Sequence, residues 1–186
     1  MPPARKRYEV EVKIELHPDE LEGLRRRLRE LGARLLSRRR EHDIYFEHPC
    51  RSLHENDEVL RLRVAEGRAL LTYKSASRPP LKTREEIEVR VDDAQALRSI
   101  LQHLGFSESL SLSKLREEYS LDREGVKVCI DHVKGLGYYL EVEARSENPE
   151  EAERRIRRVL STLGLEGRPL ITTSYAELLR AGGRKP

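Results

Sequence analysis

Apolar residues recur along this chain with two different periods. From Tyr8 to Leu16 they fall at every second position, the rhythm of a strand with one buried face. His17-Pro18-Asp19 ends that run, and Asp19 is placed to cap a helix after it. Leu21, Leu24, Leu28, Leu31 and Leu35 then repeat at helical spacing, with Gly32 near the end. Residues 38–47 read as a second strand ending in Ile44, Tyr45 and Phe46, and Pro49 to Asp57 as a loop. Glu58 to Val64 and Ala69 to Ser75 flank Glu66-Gly67, a hairpin signal. Arg78-Pro79-Pro80 breaks the chain, and alternation resumes from Arg84 to Val91. Asp92-Asp93 caps a helix running to Leu104 and stopped by Gly105. Strands from Leu112 to Leu121 and from Val126 to Val133 surround Arg123-Glu124-Gly125. Gly135-Leu136-Gly137 turns into a strand from Tyr138 to Ala144, Pro149 opens a helix to Leu163, and a short helix covers Ser174 to Leu179. About eight strands, mostly in hairpins, with three main helices predict an antiparallel sheet in an α+β fold.

The faces of these strands are unusual. Residues i and i+2 of a strand share a face. Val10, Val12 and Ile14 oppose Glu9, Glu11, Lys13 and Glu15. The same division separates Arg61 and Arg63 from Leu60 and Leu62, and Thr72 and Lys74 from Leu71 and Tyr73. Arg84, Glu86, Glu88 and Arg90 share one face, as do Lys114, Arg116 and Glu118; Lys127, Cys129 and Asp131; and Tyr139, Glu141 and Glu143. A one-sided sheet with its charges in water accounts for one such strand. Repeated through nearly every strand, with little Ser, Thr or Gln, the pattern also suits a closed barrel with charges inside and helices outside. Buried charges must be paired or must hold a charged ligand. Many cations suit a polyphosphate, and carboxylates among them suit a hard divalent cation.

Composition narrows the choice. The 186 residues carry 36 Lys and Arg against 33 Asp and Glu, a net charge of only +3. That balance argues against a polycation that coats nucleic acid. No apolar run approaches the roughly 18 residues of a membrane span. The basic stretch Met1 to Arg7 has no apolar core of a signal peptide. Cys50 and Cys129 sit in no metal-binding spacing, so two free thiols in a reducing cytoplasm are expected. Arginine outnumbers lysine 28 to 8, with one Met and few Asn or Gln, a composition that suits a thermophile.

Glu9-Val-Glu-Val-Lys13 matches the ExExK signature of the CYTH family, the triphosphate tunnel metalloenzymes. His42-Asp43-Ile44-Tyr45-Phe46, Leu71-Thr72-Tyr73-Lys74, Lys82-Thr83-Arg84-Glu85-Glu86 and Lys114-Leu115-Arg116 resemble later family segments in order. Asp131-His132-Val133, the run from Gly135 to Glu143 and Ser174-Tyr175-Ala176-Glu177-Leu178-Leu179 complete a resemblance spanning about residues 8–180 of one domain over 1–186. The stretch from His48 to Arg63 resembles the class IV adenylyl cyclase branch. The resemblance implies an eight-stranded antiparallel tunnel with helices outside, holding a triphosphate with Mg²⁺ or Mn²⁺. It implies Glu9, Glu11 and Glu141 as metal ligands, assisted by Glu143 or Asp131. It implies Lys13, Arg61, Arg63, Lys74, Lys82, Arg84, Lys114 and Arg116 along the phosphate path, and Lys13, Glu9 and Glu11 as the catalytic set. The implied reaction converts ATP to cyclic AMP and pyrophosphate. Hydrolysis of inorganic, thiamine or nucleoside triphosphate is the alternative, and a non-catalytic polyphosphate- or RNA-binding module the second alternative.

Other residues carry blander expectations. His42 reads as a surface or structural histidine, Asp43 as a support for a metal or an arginine, and Tyr45 and Phe46 as core. Arg25-Arg26-Arg27, Arg38-Arg39-Arg40 and Arg154-Arg155 stand near acidic residues at spacings that allow helical ion pairs, so nucleic acid is not the expected partner. A homodimer is compatible with the sequence.

Overall fold

The structure is a computed structural model that describes residues 8–77 and 82–182, with Lys82 described by its backbone alone. Eight strands form a closed barrel in the order β1-β5-β4-β3-β2-β6-β7-β8, every neighbouring pair antiparallel. The strands are β1 (Tyr8–Leu16), β2 (Arg34–Glu47), β3 (Val59–Ala65), β4 (Arg68–Lys74), β5 (Lys82–Val91), β6 (Ser107–Leu121), β7 (Val126–Val133) and β8 (Gly137–Ser146). The helices are α1 (Glu20–Glu30), α2 (Ala94–His103), α3 (Pro149–Thr162) and α4 (Tyr175–Arg180). The alternation thus resolves as a barrel rather than an open sheet. Among the described residues no helix is long and apolar enough to cross a membrane.

The apolar faces point outward, and the helices cover most of them, with Ile87 and Val89 of β5 left exposed. Leu21, Leu24 and Leu28 of α1 join Ala152, Ile156, Val159 and Leu160 of α3 over Val10, Val12, Val128, Ile130, Leu140 and Val142. A second cluster sets Leu97 and Leu101 of α2 on Ile44, Phe46, Leu60, Leu62 and Leu71. A third gathers Leu112, Val133 and Tyr139 under Tyr175, Leu178 and Leu179 of α4. That third cluster lies at one end of the barrel. The chain reaches it by crossing β1, where Lys13 and Ile171 exchange backbone hydrogen bonds of 3.0 and 2.8 Å. The opposite end carries the β3–β4 hairpin, whose turn residues Glu66 and Gly67 have φ of 49° and 73°. Positive φ at both positions is the turn that matches strand twist.

Three local readings shift. Leu35 is not the end of α1: the helix stops at Glu30, Gly32 takes φ of 74°, and β2 begins at Arg34. Leu35 lies instead on β2, 53% exposed. The strand expected from Leu112 begins at Ser107, because the start of β6 pairs with the end of β2, Ser107 opposite Glu47. Asp19 makes no side-chain cap; the Glu20 carboxylate accepts the His17 backbone N–H at 2.6 Å instead. Capping at the other helices follows the sequence: Asp93 accepts from Gln95 and Ala96, Asn148 from Glu150 and Glu151, and Ser174 with Glu177 forms a capping box. The break at Arg78-Pro79-Pro80 lies outside the described residues.

Ile156 is completely buried between α3 and the barrel wall. Ile156→Ala is expected to lower stability by about 2–5 kcal/mol through lost burial and the cavity left behind. Urea unfolding should show this as a lower midpoint at unchanged slope.

Candidate active site

The polar faces of all eight strands turn inward and line a tunnel of about 290 Å³. Ten cationic and eight carboxylate side chains line it, so the wall carries a cationic surplus. β1 contributes Glu9, Glu11 and Lys13; β8, paired with it in register, contributes Glu141 opposite Lys13 and Glu143 opposite Glu11. Arg61 and Arg63 come from β3, Lys74 from β4 and Arg84 from β5. Lys114 and Arg116 come from β6, and Asp131, opposite Arg116, from β7.

These groups form linked ion pairs. Lys13 donates to Glu11 at 2.8 Å and lies 3.4 Å from Glu141. Arg116 donates to both oxygens of Asp131 at 2.7 and 2.6 Å, and to Glu141 at 2.7 Å. Arg63 holds Asp43 the same way at 2.7 and 2.8 Å, and stands 3.1 Å from Glu41. Lys74 bridges Glu9 and Glu86, and Arg145 reaches the same two carboxylates at 3.1 and 2.7 Å. Lys127 meets Glu143 at 3.1 Å.

Protonation follows these neighbours. Burial opposes the Lys13 ammonium, but Glu11 and Glu141 outweigh it and hold the pKa above the ordinary lysine value. Burial likewise opposes the Glu141 carboxylate, and Arg116 and Lys13 hold it well below the usual range. Lys114 goes the other way: burial, then Arg116 and Arg63 beside it, lower its pKa. Glu86 is pushed up to about 8 by burial and by its hydrogen bond with Glu9. The pair Glu9–Glu86 therefore shares a proton at neutral pH.

Not every donor is used. The Nε of Arg61, and the Nε and Nη1 of Arg84, are buried without a hydrogen-bond partner. Arg61 has only Thr72 at 3.2 Å through Nη2 and Asp43 at 3.9 Å; Arg84 holds Asp57 through Nη2. Buried donors left open carry a desolvation cost that an incoming acceptor removes.

Most of the expected site residues meet in this one cavity. Lys82 is placed only by its backbone, which pairs with Glu11; its side chain lies outside the described residues. Asp131 stands behind Arg116, and both its oxygens are taken, since Tyr175 also donates to Oδ2 at 2.9 Å. Tyr45 lines the tunnel rather than only the core, while Phe46 is core. His42 is exposed and bonded to Ser113. Cys50 is exposed and Cys129 buried, both free. The arginines of α1 and α3 pair with Glu22, Glu30, Glu151 and Glu153.

The sequence reading missed Arg39, Glu41, Arg145 and Tyr175. Arg39 turns inward to Glu41 and Glu118, both at 2.9 Å. Its neighbours Arg38 and Arg40 are polar too, so alternation could not say which residue faces in. Tyr175 arrives from α4, far along the chain; its ring lies 5.3 Å from the ammoniums of both Lys13 and Lys114. The capping box that starts its helix was the available signal.

Residues 7–175 match the CYTH domain. The chain belongs to the CYTH family. A Methanocaldococcus jannaschii protein, provisionally named an adenylate cyclase, is 34% identical over 91% of this chain and 98% of its own. The solved structure of a Pyrococcus horikoshii protein is 33% identical with a TM-score of 0.80, covering 93% of this chain and 98% of that one. A Hippeastrum protein, provisionally named an adenylyl cyclase and described as having a dominant triphosphatase activity, shares the fold at 17% identity and a TM-score of 0.69, over 97% and 98% of the two chains. This CYTH barrel therefore shares its closed eight-stranded architecture with solved relatives.

The Glu86 carboxyl binds its proton more tightly folded than unfolded, so the folded chain holds more protons between pH about 4.5 and about 8. Stability contributed by this group falls as pH rises through that window and is level outside it. Glu86→Gln, which cannot ionise, is expected to flatten that fall. Thermal melts of the two proteins in chelator from pH 5 to pH 8 check this.

Proposed function

We propose that this CYTH protein is a divalent-metal-dependent enzyme that holds a triphosphate in its tunnel and, like class IV adenylyl cyclases, converts ATP to cyclic AMP and pyrophosphate. The observation that carries the reading is the set of buried open donors on Arg61 and Arg84, beside the ammoniums of Lys13, Lys74 and Lys114. Phosphate oxygens are the acceptors this geometry lacks. An anion beside Lys114 also relieves the repulsion that lowers its pKa.

The carboxylates fit a hard cation of the Mg²⁺ type, since all are oxygen donors. Among the described residues no three of them converge as a ready metal cage. That suits Mg²⁺ or Mn²⁺ shared between one or two carboxylates and the substrate phosphates. Glu9, Glu11 and Glu141 would hold it, with Glu143 beside Glu11 on the paired strand. Asp131, fully engaged by Arg116 and Tyr175, serves to aim Arg116. When bound, the cation supplies charge neutralisation on the phosphates.

Lys13 stays protonated and acts as a cation on the phosphates rather than as a base. In the cyclase reaction the ribose 3′-oxygen attacks the α-phosphorus and pyrophosphate leaves with the bridging oxygen. The hydroxyl proton passes to a tunnel carboxylate. Arg61, Arg63, Arg84 and Arg116 meet the charge that spreads over the phosphate oxygens. The second reading, hydrolysis by attack of water on the terminal phosphorus, needs the same cradle.

Incubation with ATP and, separately, with inorganic triphosphate, plus Mg²⁺ or Mn²⁺, tests this by phosphorus NMR and chromatography. Cyclic AMP with pyrophosphate is expected; orthophosphate without cyclic product makes the protein a triphosphatase. Glu11→Gln and Arg61→Ala are each expected to lower turnover about 100-fold or more. Triphosphate bound without turnover, with affinity unchanged in Glu9→Ala and Glu141→Ala, would favour the binding module.

A further inference from the structure

Among the described residues two that are not glycine have positive φ, Asp57 at 54° and Glu66 at 49°. Glu66 belongs to the β3–β4 hairpin turn, which demands it. Asp57 lies in the loop that joins β2 to β3, and its conformation has another origin. The Asp57 N–H donates to the His54 carbonyl at 3.0 Å, and the Glu58 N–H to the Leu53 carbonyl at 2.8 Å. That nested pair closes a helical turn, and its left-handed position usually holds glycine, sometimes asparagine. The backbone alone gives no reason for an aspartate there.

The turn is firmly built. The Glu47 carboxylate accepts the backbone N–H groups of Leu53 and His54 at 2.8 and 2.9 Å, Asn56 donates to the Ser52 carbonyl at 2.6 Å, and Leu53 is buried. It sets the Asp57 carboxylate between two other segments. Oδ2 accepts from the Ser77 backbone N–H at 2.8 Å and from the Ser77 hydroxyl, which ties down the chain as it leaves β4. Oδ1 accepts from Nη2 of Arg84 on β5. Arg84 lines the tunnel, and Asp57 stands behind it.

Arg84 is held unlike the other tunnel arginines. Arg63 and Arg116 are gripped by Glu41, Asp43, Asp131 and Glu141, all borne on barrel strands. Arg84 pairs with a loop carboxylate through one nitrogen and keeps Nε and Nη1 buried and unbonded. Directly opposite it on β1 stands Glu9, whose side chain shares the inward face. Cross-strand neighbours of opposite charge attract. Released from Asp57, the guanidinium would turn to Glu9, and its open donors and that carboxylate would be consumed together. We propose that Asp57 is a positioning residue that holds Arg84 off Glu9, so that Nε and Nη1 stay free for a phosphate oxygen. The proposal rests on the tunnel being the triphosphate site, and it makes the anion affinity of that site depend on a residue outside its wall.

The sign of the effect tests this. By charge alone, removing a carboxylate near a phosphate site tightens anion binding; by position, it weakens it. Asp57→Asn and Asp57→Gly both suit a left-handed backbone, so the turn survives in each. Calorimetry with inorganic triphosphate and Mg²⁺, beside thermal melts, would compare wild type, both variants, Arg84→Met, and Asp57→Asn combined with Arg84→Met. Each Asp57 variant is expected to bind about 10-fold more weakly with its melting temperature near that of wild type. Arg84→Met is expected to lose at least as much, and Asp57→Asn to add nothing to it, because both changes act through one contact. Tighter or unchanged binding in the Asp57 variants overturns the proposal and leaves the tunnel reading standing. So does a further 10-fold loss on top of Arg84→Met, or a loss that follows a lowered melting temperature, since either assigns Asp57 to loop stability alone. Wild-type affinity in Arg84→Met overturns it as well. If wild type binds no triphosphate, the tunnel reading fails and the proposal falls with it.

Discussion

The structure depends on opposite charges matched inside a closed barrel. Taking an ion out of water costs several kcal/mol even after relaxation, and only well-formed pairs return that cost. Glu41, Asp43, Lys13, Lys114, Arg116 and Asp131 are all at or below 5% exposure, and each sits in at least one ion pair. Removing one partner would strand another, so the lining behaves as a unit. The outer apolar shell supplies the favourable burial that such an interior does not. The helices are thus needed thermodynamically as well as sterically: α1 and α3 on one flank and α2 on another exclude water from the strand faces they cover, while Ile87 and Val89 of β5 stay exposed.

The network also explains how cations stand ready for an anion. Lys13 is steered by Glu11 and Glu141, Arg63 by Asp43, and Arg116 by Asp131. Each long side chain is already ordered, so little rotamer entropy remains to be lost when a ligand arrives. The surplus is local. Arg61 and Arg84 keep open donors, and burial with Arg116 and Arg63 beside it lowers the pKa of Lys114. The balance reverses around Glu9 and Glu86, which share a proton between two cations. One tunnel thus holds an anion-seeking region and a carboxylate-rich region side by side.

Much of this was legible from alternation alone. Glu9-Val-Glu-Val-Lys13, Arg61-Leu-Arg63 and Glu141-Val-Glu143 each declare a charged and an apolar face, and those faces became the lumen and the outer core. Where both faces are polar, as from Arg38 to Glu41, the period carries no sign and Arg39 was invisible. Leu35 continued a helical spacing by chance; Gly32 at positive φ and the pairing of β2 with β6 overrode it. Tyr175 could not be read because its place depends on a long excursion: α3, then the crossing at Ile171, then a capped turn. Sequence distance, not chemistry, hid it.

The order of strands around the barrel has a consequence for how the protein is made. β1 leaves the ribosome before both of its partners, β5 and β8, which follow more than 70 and about 130 residues later. Pairings so distant raise contact order and slow folding. The hairpins β3–β4 and β6–β7–β8 can form locally while β1 waits with an unpaired edge. Its alternating glutamates keep that edge soluble meanwhile, since charged side chains discourage strands from pairing with the wrong chain. The residues that crowd the finished lumen are, during synthesis, the ones that guard the nascent chain against aggregation.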